Sequence, residues 1–264
     1  MIKKIIAIAA IAAMLIACGD KEDDNKKPNP KPDVENQEPE EPEEEFKGAV
    51  TIDGAFEDWA ALDASKVAVA TLPTEGTITY PVLKTMKLHA DELYIYIYLE
   101  FDPRGQYIEE LGSYSGVRYL DLFIDQDNDP ATGRYYAWSN CAGLMLQGAF
   151  YGGSSAYNPG VDIYTGADMM PEWAWEDLGL FGVVAAIEPV VESEDKAIFE
   201  CSLLRPAMAV DMASTVGIGA IVETEDWSSI GQLPQYCAED VVGEGDGTTE
   251  NRPAMLYIDL PEME

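Results

Sequence analysis

Alternating apolar residues limit this chain to β-structure. In "LYIYIYLEF" (93–101) leucine and isoleucine face one side and tyrosine the other, and "YLDLFID" (119–125) alternates in the same way. Helical periodicity is scarce, with one candidate helical turn at 57–64. This pattern predicts an all-β, antiparallel sandwich of jelly-roll type. The other candidate strands are 49–54, 67–72, 82–89, 142–151, 181–191, 196–203, 215–223 and 255–260.

The N-terminus has the pattern of a bacterial secretory signal. Lys3 and Lys4 precede an apolar run over 5–17, which is shorter than the ~20 apolar residues that a membrane-spanning helix needs. The run ends in Leu-Ile-Ala-Cys, which resembles the lipobox of lipoproteins. The resemblance implies cleavage before Cys18 and a lipid anchor on its sulfur, with palmitate as an expected acyl chain. We therefore predict a signal peptide over 1–17.

Residues 18–47 are predicted to form a disordered acidic tether. The segment has five prolines and almost no apolar side chains, so it cannot bury enough surface to offset its ordering entropy. The acidic group at 21–24 resembles an export signal of surface lipoproteins, and a merely solvated charge run is the alternative. The expected location is the outer membrane, either at the cell surface or facing the periplasm. Residues 48–264 remain for one β-sandwich domain.

The charge of this domain excludes some partners. Of the 49 acidic and 16 basic residues of the chain, 12 and 7 lie in the first 47 residues. The remaining 37 acidic and 9 basic residues give the domain a net charge of −28. Such a field repels nucleic acid and anionic lipid headgroups, whereas cations and neutral ligands such as sugars are tolerated.

An aspartate-rich stretch, "DQDNDPATGR" (125–134), is a candidate metal site. The carboxylates of Asp125, Asp127 and Asp129 have the spacing of the first half of an EF-hand loop, and Ca²⁺ prefers several hard oxygen ligands. Pro130 stands where that loop needs glycine, so the stretch is no EF-hand and further ligands must come from elsewhere. A soluble turn between two strands is the alternative. We predict a structural Ca²⁺.

Three segments occur in the order and spacing of carbohydrate-binding module family 9 and its DOMON-like relatives. They are "TIDGAFEDWAAL" (51–62), "MKLHADELYIYIYLEFD" (86–102) and "YLDLFIDQDNDPATGRYY" (119–136), and the resemblance covers most of 49–225. It implies a β-sandwich, usually calcium-containing, that binds sugars without cleaving them. Some relatives in the superfamily bind haem instead, so the fold alone does not define the ligand.

The resemblance also implies ligand-binding residues. In the family, the strand position of Asp121 carries an acidic residue that hydrogen-bonds a sugar hydroxyl, with a solvated strand position as the alternative here. The family clamps its sugar between two tryptophans. Near the first clamp position this chain offers Tyr114, with Tyr119 as second choice, and near the second it offers Trp227 or Tyr236.

Two further tryptophans are candidates on their spacing alone. Trp173 and Trp175 are two residues apart, so on an extended segment both face the same way and would form a flat platform for a ligand. The alternative is a loop that packs its aromatic rings on the edge of the sandwich. For Trp59 and for the tyrosines of 94–98, structural packing is the favoured interpretation, with ligand contact as the alternative.

The sequence gives little support for an enzyme. His89 is the one histidine, and a buried structural role is favoured for it. The stretch 152–156 fails the G-x-S-x-G pattern at its last residue. Of the three cysteines of the domain, Cys141, Cys201 and Cys237, two could pair in an oxidising compartment, and the sequence does not choose among the three pairings.

The sequence thus predicts a lipid-anchored, non-catalytic carbohydrate-binding protein of the cell envelope. Its expected partners are an oligo- or polysaccharide, the membrane through the anchor, and other proteins of a glycan-uptake system. A structural or adhesive lipoprotein that binds another protein is the main alternative. A haem domain that uses His89 and a methionine is the second alternative.

Overall fold

The computed structural model describes most of the predicted β-domain. All described residues lie in one compact unit that spans Phe46–Glu264. The predicted signal, Cys18 and the tether lie outside them. None of the helices in the part of the chain that is described is long and apolar enough to cross a membrane. The described residues are 48–75, 78, 80–129, 131–134, 141–153, 157–208, 210–235 and 255–263.

Fifteen strands and one short α-helix form within these ranges. The helix α1 is Glu57–Ala61, and two 3₁₀ turns span Ala64–Lys66 and Arg205–Met208. The strands are β1 Ala68–Thr71, β2 Leu83–Ala90, β3 Tyr94–Phe101, β4 Gln106–Ile108, β5 Ser113–Ser115, β6 Tyr119–Asp125, β7 Leu144–Ala149, β8 Asp162–Tyr164, β9 Trp175–Asp177, β10 Val183–Ala186, β11 Val190–Ser193, β12 Lys196–Leu204, β13 Thr215–Glu223, β14 Ser229–Leu233 and β15 Leu256–Asp259.

These strands form two antiparallel sheets that pack face to face. Sheet A has the order β1-β2-β3-β12-β10, with β11 also paired to β12. Sheet B has the order β14-β13-β6-β7-β8-β9, with β15 also paired to β13. The strands β4 and β5 form a separate hairpin. The prediction of an antiparallel β-sandwich is confirmed.

The core lies between the two sheets. Because side chains alternate along a strand, Ile95, Ile97 and Leu99 of β3 point inward from sheet A. Leu120 and Leu122 of β6 meet them from sheet B, and all five side chains are inaccessible to water. The alternation therefore turns the intervening residues of β3 and β6 toward the outer faces of the sandwich.

The outer face of sheet A is covered by the chain's own N-terminal segment. Trp59 of α1 packs on Tyr96 and Tyr98, and its Nε1 donates a hydrogen bond of 2.9 Å to Glu200 Oε2. The structural interpretation of Trp59 and of the buried tyrosines is therefore confirmed. Sheet A offers no open stripe of tyrosines to a ligand at these positions.

The two described cysteines, Cys141 and Cys201, form no disulfide with each other. Cys201 is a free thiol in the core between the sheets, and its burial raises the pKa of the thiol far above the ordinary value. The sulfur of Cys141 lies 4.0 Å from the sulfur of Met169. Cys237 lies outside the described residues, so the pairing question stays open for it.

Candidate functional site

The outer side of sheet B carries polar, apolar and aromatic side chains, most of which are buried. On β6, the inward direction of Leu120 and Leu122 turns Tyr119, Asp121 and Phe123 outward. Residues of β7, β13 and β14 that are paired with these positions, directly or through β13, point to the same side of the sheet. We call this surface the Asp121 face, and it consists of Tyr119, Asp121, Phe123, Met145, Gln147, Ile221, Glu223 and Gln232.

A row of four residues crosses the middle of the Asp121 face. Asp121 is paired with Gln147 on β7 and with Ile221 on β13, and Ile221 is paired in turn with Gln232 on β14. Gln147 Nε2 donates a hydrogen bond of 3.0 Å to Asp121 Oδ2. The row therefore presents three polar side chains and one apolar side chain to the same side of the sheet.

Asp121 is nearly inaccessible, at 2% exposure. Burial, and to a smaller extent the nearby charge of Glu223, raise the pKa of its carboxyl to about 8, although the hydrogen bond from Gln147 acts in the opposite direction. The oxygen Oδ1 has no hydrogen-bond partner among the described residues. At neutral pH this carboxyl is therefore largely protonated, and one of its two oxygens is unpaired within the part of the chain that is described.

Glu223 is the second acidic member of the face. Glu223 lies two residues after Ile221 on β13, on the same side of the sheet. It is paired with Tyr119 on β6 and is itself buried. Ser229 Oγ donates a hydrogen bond of 3.1 Å to Glu223 Oε1, while burial raises the pKa of the carboxyl. When two carboxyls lie close together with little access to water, their mutual repulsion favours the protonated form of one of them.

One side of the row is bounded by a pair of stacked rings. Tyr119 and Trp227 are parallel within 2°, with centroids 3.9 Å apart. Trp227 lies in the turn between β13 and β14 in a left-handed conformation, with φ of 66°. It remains 51% exposed, so the ring offers apolar surface to solvent directly beside the polar row.

The other side of the row is bounded by the predicted tryptophan pair. Both Trp173 and Trp175 contact Phe123, with centroid distances of 6.5 and 6.0 Å. Their own planes are inclined by 69°, because Trp175 packs down on Phe123 while Trp173 stands out, 54% exposed, beneath the guanidinium of Arg134. The expected flat platform was therefore wrong, although both rings lie at the edge of the Asp121 face.

Tyr114 is not on sheet B. It belongs to the separate hairpin, on β5, where its ring contacts Tyr107 and the Arg104 guanidinium lies 4.9 Å from its centroid. Tyr114 also lines a surface pocket of about 420 Å³ together with Arg118 and Asp226. Tyr119, the second choice from the sequence, stacks directly on Trp227 at a centroid distance of 3.9 Å, so these two rings leave no space between them for a clamped sugar. Tyr236 lies outside the described residues.

The predicted calcium loop is closed by its own hydrogen bonds. Asp127 Oδ1 accepts from the Asp129 amide at 3.0 Å, and Asp127 Oδ2 accepts from Thr132 Oγ1 at 2.9 Å. Asp129 Oδ1 accepts from the Ala131 amide at 2.9 Å, whereas Asp125 is fully buried at the end of β6. The described residues bring together no group of three or more acidic, histidine or cysteine side chains suited to a metal ion.

The described residues alone therefore do not fit the predicted calcium ion, which stays a prediction. Thermal melting of the protein in calcium chloride and in chelator tests it, because an ion bound to the folded state must raise the melting temperature. A higher melting temperature in calcium supports the ion, and superimposable curves end the prediction.

A larger pocket than the one beside Tyr114 lies elsewhere. It is an open groove of about 730 Å³ between β1, β2 and β15, lined in part by His89 and Leu260. His89 is 6% exposed, its Nδ1 donates a hydrogen bond of 3.1 Å to the Lys66 carbonyl, and its ring stacks on Tyr96, which fits the structural role expected for it. Size alone does not make this groove the site, since the unpaired polar atoms of Asp121 and Gln232 lie on the other sheet.

Sequence reasoning found Asp121 and Trp227 but missed their neighbours. Gln147 and Phe123 lie in correctly predicted strands, and their outward direction follows from the alternation. Glu223 ends a predicted strand. Gln232 lies on β14, which no apolar alternation marks in the sequence.

Fold and site together define a β-sandwich whose sheet B bears buried polar groups between aromatic rings. No family model and no curated protein matches the chain. Among solved structures, the chain is similar to a carbohydrate binding module family 9 from Caldicellulosiruptor kristjanssonii in complex with cellotriose, at 15% identity over 82% of this chain and 92% of that chain, with a TM-score of 0.40. The same module in complex with glucose is similar at 15% identity over 82% and 94%, with a TM-score of 0.38. The similarity concerns the fold and assigns no ligand to this chain.

Proposed function

We propose that this protein binds carbohydrate, without cleaving it, on the Asp121 face. The observation that carries the proposal is the position of the unpaired Asp121 Oδ1, which lies in a row of polar side chains with aromatic rings on both sides. Along β6 the rings of Tyr119 and Phe123 flank Asp121 at steps of about 6.8 Å, since each strand residue advances the chain by about 3.4 Å.

This arrangement matches the two kinds of surface that a sugar presents. Sugar hydroxyls both donate and accept hydrogen bonds, and a carboxyl flanked by an amide can serve them in either protonation state. The C–H faces of a sugar ring need apolar surface, because exchange of hydrogen bonds with water gives little net free energy. The exposed rings of Trp173 and Trp227 provide that surface at the two ends of the face.

Charge restricts the ligand to neutral glycans. The domain carries a net charge of −28, and both acidic groups of the face, Asp121 and Glu223, have raised pKa values because they are buried. An anionic sugar would bring a further negative charge into this environment, which is unfavourable. A neutral oligo- or polysaccharide avoids that cost.

The location of the protein is part of the proposal. The lipobox resemblance at Cys18 and the acidic, proline-rich segment that follows support a lipid-anchored protein of the outer membrane, with the domain held on a tether. Binding on a tethered domain raises the local concentration of glycan at the membrane. Metabolic labelling with a palmitate analogue tests the anchor, and Cys18→Ala should abolish incorporation.

A glycan array probed with the full-length protein tests the binding function. We expect binding to neutral oligosaccharides that falls at least tenfold in Asp121→Ala and in Trp227→Ala, because each loses a direct contact with the sugar. Asp211→Ala and Phe181→Ala are matched controls at exposed positions outside the Asp121 face, and both should bind like the wild type. Absence of binding by the wild type to every neutral and acidic glycan would refute the proposed function.

The exposure of Trp173 favours a protein partner as the second candidate. The ring is 54% exposed, and Met170, three residues earlier in the chain, is 39% exposed, so this segment presents two large apolar side chains to solvent. Trp173→Ala distinguishes the candidates. Loss of a co-purifying envelope protein with unchanged glycan binding indicates a protein interface, and loss of glycan binding indicates that the segment serves the sugar.

A further inference from the structure

Arg205 is a buried cation without a carboxylate partner among the described residues. It begins the 3₁₀ turn after β12 and is 8% exposed. Its Nη1 donates hydrogen bonds to the carbonyls of Asp91, Glu92 and Pro261 at 2.8, 2.9 and 2.8 Å. None of the ion pairs within the described part of the chain includes Arg205. Carbonyl dipoles balance its charge only in part, and a buried charge without a counter-ion is unfavourable for folding.

One edge of the Arg205 guanidinium makes no hydrogen bond with described residues. Nε is buried and has no partner among them, and Nη2, which is not buried, has none either. The N–H bonds of Nε and Nη2 point to the same side, which is the geometry that binds the two oxygens of a carboxylate. Arg104 shows this mode in the same protein, since its Nε and Nη2 donate to the two carboxylate oxygens of Asp102 at 3.0 and 2.7 Å.

Arg205 lies in the wall of an open pocket of about 440 Å³. This volume is within the range of about 300–1,000 Å³ that is usual for small-ligand sites. Nη2 is the side-chain polar atom that Arg205 offers to the pocket, because Nη1 is engaged and Nε is buried. The other lining residues are four apolar residues and one acidic residue, Pro206, Val210, Met212, Met263 and Asp211.

The charges around the pocket favour a ligand with a single negative charge. Arg205 supplies one positive charge, whereas Asp211 at the same pocket and the net charge of −28 of the domain oppose anions. A doubly charged phosphate or sulfate meets that opposition twice. A carboxylate carries one charge and matches the Nε–Nη2 edge, and an apolar group attached to it gains free energy from contact with Val210, Met212 and Met263.

We propose that this pocket binds a monocarboxylate with an apolar substituent, with one oxygen on Nη2 of Arg205 and the other turned towards Nε. Such a group occurs in a free carboxylic acid and at the C-terminus of a peptide whose last side chain is apolar. The inference goes beyond the proposed function, because Arg205 follows a strand of sheet A whereas the Asp121 face lies on sheet B. Failure of one proposal therefore leaves the other intact.

Calorimetric titration of the full-length protein with 4-methylpentanoate and with a tripeptide that ends in leucine tests the inference. Both acids should bind and raise the melting temperature, whereas 4-methylpentanamide and the amidated tripeptide should bind at least tenfold more weakly. Equal affinity of the two acids supports a free acid as the ligand, and fivefold tighter binding of the tripeptide supports a C-terminal segment. Equal binding of acids and amides, or no binding of either acid, overturns the inference.

The variant Arg205→Lys tests the two-point contact. Lysine keeps the positive charge and loses the planar edge, so the affinity for both acids should fall about tenfold. Arg118→Lys is the matched control, because Arg118 also lines a pocket and forms no ion pair with a described residue. Arg118→Lys should bind both acids like the wild type. Unchanged affinity in Arg205→Lys overturns the inference.

Two exposed positions test the pocket without changing Arg205, in case Arg205→Lys does not fold. Met263 is 56% exposed, and Met263→Ala should lower the affinity for 4-methylpentanoate about two- to threefold because it removes apolar contact. Asp211→Asn should bind both acids about twofold more tightly, because a like charge is removed. Unchanged affinity in both variants overturns the inference. A lowered melting temperature of Asp211→Asn shows that Asp211 itself pairs with Arg205 in solution and also overturns it.

Discussion

Replacing Asp121 by asparagine is expected to stabilise the protein at neutral pH and to flatten its stability between about pH 5 and pH 7. The reason is the environment of the carboxyl. Asp121 is 2% exposed, and burial together with the charge of Glu223 raises its pKa to about 8. Asparagine keeps the shape and still accepts the hydrogen bond from Gln147, but it carries no charge that burial can penalise.

The sign of the effect follows from proton linkage. The pKa of an aspartate in the unfolded chain is about 3.9, so between about pH 4 and pH 8 the folded state binds more protons at Asp121 than the unfolded state does. The contribution of Asp121 to the free energy of unfolding of the wild type therefore decreases as pH rises through this window. One such group changes the free energy of unfolding by up to about 1.4 kcal/mol per pH unit, or about 3 kcal/mol from pH 5 to pH 7.

Urea unfolding of both proteins at pH 5, 6 and 7 measures the effect. Only the difference between wild type and Asp121→Asn isolates this residue, because the raised pKa of Glu223 acts in the same direction and the lowered pKa of Asp91 in the opposite one. Asp211→Asn, an exposed position, is the control and should follow the wild type. Parallel pH profiles of wild type and Asp121→Asn would show that the Asp121 carboxyl is hydrated in solution.

Strands were predictable where core-facing apolar residues alternate along the sequence. The range 119–125 was predicted for β6 and 215–223 for β13, and both ranges are observed, because these strands lie in the middle of sheet B and alternate fully. The range 181–191 was predicted as one strand but contains two, β10 and β11, which pair side by side with β12. Hydrophobicity alone does not show such a break.

The missed strands explain the missed part of the site. The stretch Ser229–Leu233 has serine, glycine and glutamine among two apolar residues, and the bulge between Val222 and Glu223 shifts its register. Long-range pairing with β13, rather than local pattern, makes this segment a strand. Gln232 was therefore invisible as a member of the site until the sheet brought it beside Ile221.

The aromatic predictions succeeded or failed for a related reason. Trp227 and Tyr119 meet because the turn after β13 folds back over the start of β6, which no local spacing indicates. The spacing of Trp173 and Trp175 predicted one common direction, but only Trp175 lies on a strand, so the two rings are inclined to each other. Spacing predicts orientation only when both residues belong to regular structure.

Replacing Trp59 by alanine is expected to cost about 3–5 kcal/mol of stability, the usual range for a large buried aromatic side chain. Trp59 is 5% exposed and packs against Tyr98, with centroids 5.6 Å apart. Its Nε1 bond to Glu200 is part of a larger contact, since Glu200 Oε1 accepts the amides of Asp53 and Gly54 at 3.1 and 2.9 Å. One buried carboxylate thus holds both the helix and the turn before it.

A double-mutant cycle separates packing from hydrogen bonding. Trp59→Phe retains an aromatic ring and loses the indole donor, and Glu200→Gln retains the shape and loses the charge. Because the two side chains contact each other directly, we expect a coupling energy of about 1–3 kcal/mol in urea unfolding. Phe181→Ala, at a side chain that is 60% exposed, should change stability by no more than about 0.5 kcal/mol. A similarly small effect of Trp59→Ala would mean that the N-terminal segment does not cover sheet A in solution.

The variant Trp59→Ala also tests whether the sugar binds at sheet B and not at sheet A. Trp59 covers the outer face of sheet A, whereas the proposed sugar site lies on the outer face of sheet B. At temperatures where Trp59→Ala remains folded, its glycan affinity should therefore equal that of the wild type. Asp121→Asn should show the reverse pattern, with higher stability at pH 7 and weaker binding. Loss of glycan affinity in folded Trp59→Ala would move the binding surface to sheet A, because only a ligand at that sheet depends on the segment that Trp59 holds in place.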